Sequence, residues 1–398
     1  MPPATDVVLG DAAGRILAEP VAALSPVPAH TNSAVDGYAF RASQDSREHG
    51  AILRIAGRAA AGHPLAGPAD ASAAIRIFTG AALPAGLDTV TMQEDVDLAE
   101  TDGAPAVRIP PGLKSGANVR KAGEDVAAGA RLFARGDTLR PQDLAALASI
   151  GRDRVVCYEP IRVGIVSTGD EVLPAGASPL APGQVYDANA PMLGALATLA
   201  GASVRHYGIW PDKLDAVTRR LQAAAAECDV ILTSGGASLG EEDHMAKAIG
   251  AIGTRHLWQL AIKPGRPMMF GHIRSNGRDT IVVGLPGNPV AVFVCFLMYV
   301  YPMLKAAGGA PWPEPRRFML PANFGFTGRK PGRREFWRGR IVTGADGAMA
   351  IEKFARDGSG LISGLRASNG LIDIPEDHGD IAPGDRVAFI PYSEFGIL

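Results

Sequence analysis

The chain is poor in cysteine, and its three (Cys157, Cys228, Cys295) lie far apart with no CxxC spacing. Neither a disulfide framework nor a structural zinc site is expected, which fits a reducing, cytoplasmic setting. The chain also lacks an excess of either charge. Its 39 Lys+Arg against 41 Asp+Glu leave a net −2 at pH 7, so no global field draws it to nucleic acid or to an anionic membrane. Any anion site must be built locally. The opening "MPPATDVVLGDAAGRILAEP" has no basic stretch leading into an apolar one, so no signal peptide is expected. The longest apolar run, "VAVFVCFLMYVYPML" (290–304), falls short of the roughly twenty residues that cross a bilayer and reads as a buried core helix.

What is present is the composition of a soluble globular protein, 47% hydrophobic and 20% charged, and 398 residues are too many for one ordinary core. Residues 11–29 read as a helix running into a proline-rich exit, and "DTLRPQDLAALASIG" (137–151) as a second helix with apolar positions at helical spacing. Between them, short β-like runs at 52–55, 75–78 and 89–93 are separated by Gly/Pro turns. After Gly151 the texture changes. "IRVGIVST", "VRHYGI", "DVILTS" and "TIVVG" are strand-like and alternate with helical stretches at 190–200, 212–227 and near His244. Continuous apolar strands alternating with helices predict a parallel sheet covered on both faces. From about Trp312 the helical signal fades, and runs such as "DRVAFIPY" suggest a small closing β domain.

This gives a multidomain α/β plus β architecture. A helical linker domain takes 1–29 and 128–156, a mostly β domain 30–127, an α/β domain 157–306, and a C-terminal β domain 307–398.

In open α/β sheets ligands bind beyond the carboxyl ends of the strands, and three such ends here are unusual. "STGDE" brings Ser167, Thr168, Gly169 and Glu171, and "TSGGASLGEED" brings Ser234, Gly235, Gly236 and then acids including Asp243. In "GLPGNPV", Pro286 and Gly287 make a turn, Asn288 suits a helix N-cap, and Pro289 suits the first helical position. A long helix starting there directs free N–H groups and its positive dipole end at the ligand edge. "IKPGRP" adds Lys263 and Arg266 on a proline-stiffened loop. Together these form an oxyanion cradle beside carboxylates suited to Mg²⁺. Plainer roles compete: Asp36 as a turn residue before glycine, Asp243 as a helix cap, Glu171, Lys263 and Arg266 as solvated charges.

Eight motifs occur in the order in which they appear in the molybdopterin molybdenumtransferases, the bacterial MoeA proteins and the E-domains of gephyrin. They are "TNSAVDGYA", "IFTGAALPAGLDTVTMQED", "NVRKAGED", "STGDE", "YDAN" (186–189), "TSGGAS", "KPGRP" and "GLPGNPV", and the chain resembles that family over nearly its whole length. The resemblance implies a molybdopterin-binding α/β domain, a β-barrel-like C-terminal domain and a homodimer. It implies molybdenum insertion into adenylylated molybdopterin, from molybdate, with Mg²⁺ and release of AMP. Molybdopterin adenylyltransferase and proteins of molybdoenzyme maturation are the implied partners. Carried over by position, Asp36, Thr79 and Asp125 are functional residues of the β module facing the partner subunit. Glu171 lies at the edge of a pterin-phosphate pocket together with Asp187 and Asn189, and Asp212 and Asp243 hold Mg²⁺. Lys263 and Arg266 hold molybdate, with Arg333 or Arg338, and Ser359 or Ser363, as further contacts.

Two departures stand out: the family usually has lysine where Arg266 stands, and many members have serine where this chain has Ala291. A related α/β domain serves the earlier adenylylation of molybdopterin, and eukaryotic relatives also act as scaffolds. Both functions are therefore weighed as alternatives.

Overall fold

The computed structural model describes residues 1–177, 179–236, 244–275 and 277–397, with Leu257 and Trp258 described by backbone alone. Its centre is a six-stranded sheet. The spatial order is Ser203–Trp210, Arg162–Thr168, Val230–Ser234, Arg278–Leu285, Pro267–Ser275, Gly253–Gln259. The first four strands are mutually parallel, and the last two add an antiparallel extension. The sheet is therefore mixed where the apolar pattern predicted a parallel one. Alternation of apolar runs identifies strands but carries no information about their direction, which is set by pairing across the sheet.

Helices Asn189–Leu199, Leu214–Glu227 and His244–Ile252 cover the sheet. The run after Pro289 forms a continuous helix of 19 residues, Pro289–Ala307, long and apolar enough by composition to cross a bilayer. It includes a π-helical turn over Phe296–Val300. This helix is the spine of the largest core. Val292, Phe293, Cys295, Phe296 and Val300 pack against Val163, Leu232 and Val283 of the sheet, and against Phe336, Leu371, Ile390 and Tyr392 of the C-terminal domain. Helix burial on two sides explains why the sequence shows an unbroken apolar run rather than a stripe.

The β module is a second six-stranded sheet, in the order Thr89–Met92, Gly37–Phe40, Ala74–Ile77, Ala51–Ala59, Ala104–Ile109, Asp97–Thr101. The helix expected over 11–29 does not form. That stretch holds Gly14 at φ 74° and Pro20, Pro26 and Pro28, and its apolar residues pair at long range instead. Ile16 bridges Thr138, Leu17 bridges Cys157, and Val21–Ala22 pairs with Arg131–Phe133. The linking region is thus held by strands, with Ala4–Val8 on Arg154–Tyr158 and a helix at Pro141–Ser149.

The C-terminal sheet runs Ile262–Lys263, Arg334–Thr343, Gly370–Ile374, Arg386–Pro391, Phe318–Pro321, and Met349–Lys353 pairs with Arg334–Thr343. A bridge from Ala322 to Ile351 sets the residue after Phe318–Pro321 beside Met349–Lys353. One strand, Ile262–Lys263, is lent by the α/β domain, so the loop carrying Lys263 is stitched into the neighbouring domain.

All three cysteines are buried and free. Burial raises the pKa of Cys157 and Cys228 and pushes Cys295 up to about 12, so none is a thiolate near neutrality. A thiol reagent at pH 8 is expected to label almost none of them in the native protein and all three after denaturation; rapid native labelling of any would contradict this burial.

Candidate functional site

The carboxyl ends of Arg162–Thr168, Val230–Ser234 and Arg278–Leu285 lie side by side, because these strands are adjacent and parallel in the sheet. They open into a cavity of about 490 Å³ lined by Ser167, Thr168, Glu171, Tyr186, Asp187, Asn189, Ser234, Gly235, Gly287, Asn288 and Pro289, among others. Three of the quoted loops therefore meet in one place. Asn189 joins them: its Nδ2 donates to Ser234 Oγ and to the Gly287 carbonyl, each at 2.7 Å. Asp187 Oδ1 accepts the N–H groups of Asn189 and Ala190 at 3.1 and 3.0 Å and so fixes the start of that helix. Ser167 Oγ and Asn189 Oδ1 are buried without a hydrogen-bond partner. Unsatisfied buried polar atoms are costly, and on a cavity wall they mark where a polar ligand group would be received.

Gly235 sits at φ +87°, and a Cβ there would lie 2.7 Å from the Thr168 carbonyl oxygen. Gly235→Ala combines left-handed strain with a backbone collision, of the order of 1–3 kcal/mol. It is expected to lower the thermal midpoint and weaken ligand binding in this cavity together. A variant with unchanged midpoint and affinity would show that the turn is not needed.

A second cavity, of about 400 Å³, lies on the other side of Asn288, which lines both. Its walls include Lys263, Arg266, Arg333, Arg338 and Lys353, with Asp357 as an acidic lining residue, together with Ala291, Phe336, Trp337 and Ser359. Not all of this charge is free. Lys263 Nζ is 3.0 Å from Glu335 Oε2, and Lys353 Nζ is 2.6 Å from Asp357 Oδ1. Arg338 is buried and donates to the carbonyls of Leu361 at 2.7 Å and Arg356 at 3.0 Å. Burial lowers its pKa, and a Cβ on Gly364 would lie 2.4 Å from its Nη1. Arg338 thus pegs the 356–361 segment over the cavity. Arg266 and Arg333 remain without a carboxylate partner among the described residues. Ser359 lines this cavity, whereas Ser363, on the short helix Ile362–Arg366, is exposed and lines neither.

The start of the long helix differs from expectation. Asn288 occupies the N-cap position and Pro289 the first helical one, but the Asn288 side chain makes no capping bond. The Val290 N–H is already donated to the Ser359 carbonyl at 3.0 Å. Part of the supposedly free helix end is therefore used to dock the C-terminal domain. Ala291 reaches the cationic cavity one residue further on.

The β module brings Asp36 and Thr79 into direct contact. Asp36 Oδ1 accepts from both the N–H and the hydroxyl of Thr79, each at 2.7 Å. The Thr79 amide, followed by its hydroxyl, holds this carboxyl below its ordinary range. Asp125 is tied to the opening segment instead, its N–H on the Val27 carbonyl at 3.1 Å. None of the three lines either cavity of this chain.

Asp212 follows the strand Ser203–Trp210, and its Oδ1 is 2.7 Å from His244 Nδ1. Its N–H points to Asp170 Oδ1 at 3.4 Å. Asp243 lies outside the described residues, and among the described residues no cluster of three His, Cys, Asp or Glu is placed to hold a metal.

Sequence reasoning missed Glu335, Arg329, Trp337 and Lys353. Glu335 is the one acid within "RREFWR", set among the cavity-lining Arg333, Phe336, Trp337 and Arg338. A single carboxylate inside so basic a strand was the available signal.

Three family models match the chain: the MoeA N-terminal region (domain I and II) over residues 1–151, a probable molybdopterin binding domain over 164–306, and the MoeA C-terminal region (domain IV) over 326–392. A molybdopterin molybdenumtransferase of Haemophilus influenzae is 35% identical over 386 residues, 97% of this chain and 93% of the relative. Molybdopterin molybdenumtransferase 2 of Mycobacterium tuberculosis is 32% identical over 391 residues, covering 96% and 93%. A crystal structure of the molybdopterin biosynthesis moeA protein from Pyrococcus horikoshii superposes with a TM-score of 0.82 at 28% identity, covering 98% of this chain and 95% of that one. With motifs, fold and full-length relatives in agreement, the chain belongs to the molybdopterin molybdenumtransferase family, transferases of molybdenum cofactor biosynthesis.

Proposed function

We propose that this chain inserts molybdenum, supplied as molybdate, into adenylylated molybdopterin and releases AMP. The observation that carries the reading is the pair of cavities meeting at Asn288, one edged with small polar groups and the other with cations. In this reading the pterin and its phosphate take the first cavity, against Ser167, Thr168, Asn189, Ser234 and Gly235, with Glu171 at the rim. The tetrahedral oxyanion takes the second, against Arg266, Arg333 and Lys263. Holding both across one residue turns a bimolecular encounter into a local one, and the cations offset charge that develops on oxygen.

Asp212, whose Oδ1 meets His244 Nδ1 and whose backbone N–H faces Asp170 Oδ1, offers hard carboxylate oxygens of the kind Mg²⁺ takes, and together with Asp243 it would hold an ion that neutralises phosphate oxygens. The Asp36–Thr79 pair and Asp125 line neither cavity of this chain. That supports their serving a partner subunit's site in a homodimer.

Purified protein given adenylylated molybdopterin, molybdate and Mg²⁺ is expected to release AMP and yield active cofactor. Failure of both would reject the reading. ATP-dependent adenylylation of molybdopterin by this chain would instead favour the adenylyltransferase alternative. Asp243→Asn separates a scaffold from an enzyme, because a scaffold keeps its partners and the enzyme loses turnover. Contacts with molybdopterin adenylyltransferase or maturation proteins, and a cytoplasmic location, belong to the same proposal.

A further inference from the structure

The parallel pairing of Ile262–Lys263 with Arg334–Thr343 sets Lys263 opposite Glu335, and their side chains meet at 3.0 Å. The pair is lopsided. Glu335 is 4% exposed, whereas the Lys263 side chain is 50% exposed at the cavity rim. Glu335 is held from beneath as well. Its Oε2 accepts the Trp337 indole N–H at 2.9 Å, and its Oε1 faces Arg329 Nε at 3.6 Å. The Arg329 side chain is fully buried. Its terminal nitrogens donate to the carbonyls of His378, Arg333 and Pro375, and its Nε has no hydrogen-bond partner. Glu335 therefore lies between two cations, one locked in the core and one on a flexible stem.

A buried carboxylate stripped of its cation is costly, but here Arg329 stays in place if Lys263 turns away. Lysine is a compact charge on four rotatable carbons, suited to such an exchange. We propose that Glu335 is an internal counter-anion of the cationic cavity: it holds Lys263 until a tetrahedral dianion arrives, then yields it, so that the bound anion is gripped moderately and can be passed on. Glu335 is in this sense a positioning residue, and the proposal rests on the oxyanion reading of that cavity. Without the carboxylate charge, Lys263 and Arg329 would raise the positive potential at the cavity, and a dianion would bind tightly but leave slowly.

The test is isothermal titration of the full-length protein with sodium molybdate, beside turnover measurements. Glu335→Gln keeps the size of the side chain and one acceptor oxygen, which can still take the Trp337 indole N–H, and removes the charge. It is expected to tighten molybdate at least tenfold and to lower both KM for molybdate and kcat. A merely structural role would leave affinity unchanged or weaken it. Lys263→Gln leaves Glu335 facing the cavity, so it should lose at least tenfold more affinity than Arg266→Gln, which exposes no acid. The double variant Lys263→Gln, Glu335→Gln should return to within a few-fold of the parent. Folded Glu335→Gln with unchanged or weaker binding overturns the inference. Should that variant fail to fold, Lys263→Gln losing no more than Arg266→Gln overturns it equally. An unaltered protein that binds no molybdate would reject the oxyanion reading itself and the inference with it. Normal binding with the wrong variant pattern rejects the inference alone.

Discussion

Replacing Arg266 with glutamine is expected to weaken molybdate binding about ten- to a hundredfold while leaving the folding midpoint nearly unchanged. Five basic residues line the cationic cavity, but two are committed to carboxylates and Arg338 to carbonyls. Arg266 and Arg333 are the uncommitted ones among the described residues, so each carries more of the anion's charge than a count of cations suggests. A hydrogen bond to a charged group contributes about 1.5–3 kcal/mol, and each 1.4 kcal/mol is a factor of about ten. The Arg266 side chain is exposed and, among the described residues, makes one long hydrogen bond, to Gln259 at 3.5 Å, so its loss costs stability little, within about 0.5 kcal/mol. Arg266→Lys restores the residue usual in the family and should recover most of the affinity, because the charge remains and only the planar fork is lost. Titration calorimetry of the three proteins decides the matter. Equal affinities would place the anion away from this loop.

The largest stability effect is expected at Asp373, which lines neither cavity but pairs across the sheet with Phe336 of the cavity wall. This aspartate is 1% exposed, on the strand Gly370–Ile374 in the middle of the C-terminal sheet. It accepts from Arg317 Nε, Arg334 Nε and Arg334 Nη2, each at 2.7 Å. Both arginine side chains are about one-third exposed, so they can turn partly toward water when their partner is lost. Asp373→Asn should therefore cost about 3 kcal/mol, the lower end of what breaking a buried pair costs. The neighbouring stretch supplies the wall with Arg333, Phe336, Trp337 and Arg338, so turnover should fail at a lower temperature without a change in molybdate affinity at low temperature. Denaturant titration supplies the first number and calorimetry the second. Replacing all three charged residues with apolar ones of similar volume should recover much of the loss. A midpoint unchanged in Asp373→Asn would mean that the network contributes nothing.

Local chemistry made much of the molecule legible before folding was considered. The strand-like runs, the helix at 137–151 (shorter in the structure, Pro141–Ser149), the glycine pair at 235–236 and the start of the long helix at Pro289 all obey rules that act within a few residues. The three loop motifs on one sheet edge were legible too, because strand–helix alternation places successive strand ends on one side. Where local rules compete with distant partners they failed. The 11–29 segment had enough apolar residues for a helix, but Ile16 and Leu17 found strand partners near 138 and 157. The direction of the last two strands of the central sheet was equally invisible.

In this protein, then, residue order by itself determined the elements, the family motifs and the neighbourhood of the sheet edge. Those depend on backbone geometry, side-chain period and turn chemistry over short spans. Tertiary structure decided which charges are free. Lys263 meets Glu335, far along the chain and in another domain, and the helix-start N–H of Val290 is taken by Ser359 from that same domain. Electrostatic character belongs to distances in space, and a charge that looks available along the chain is available only if nothing folds against it.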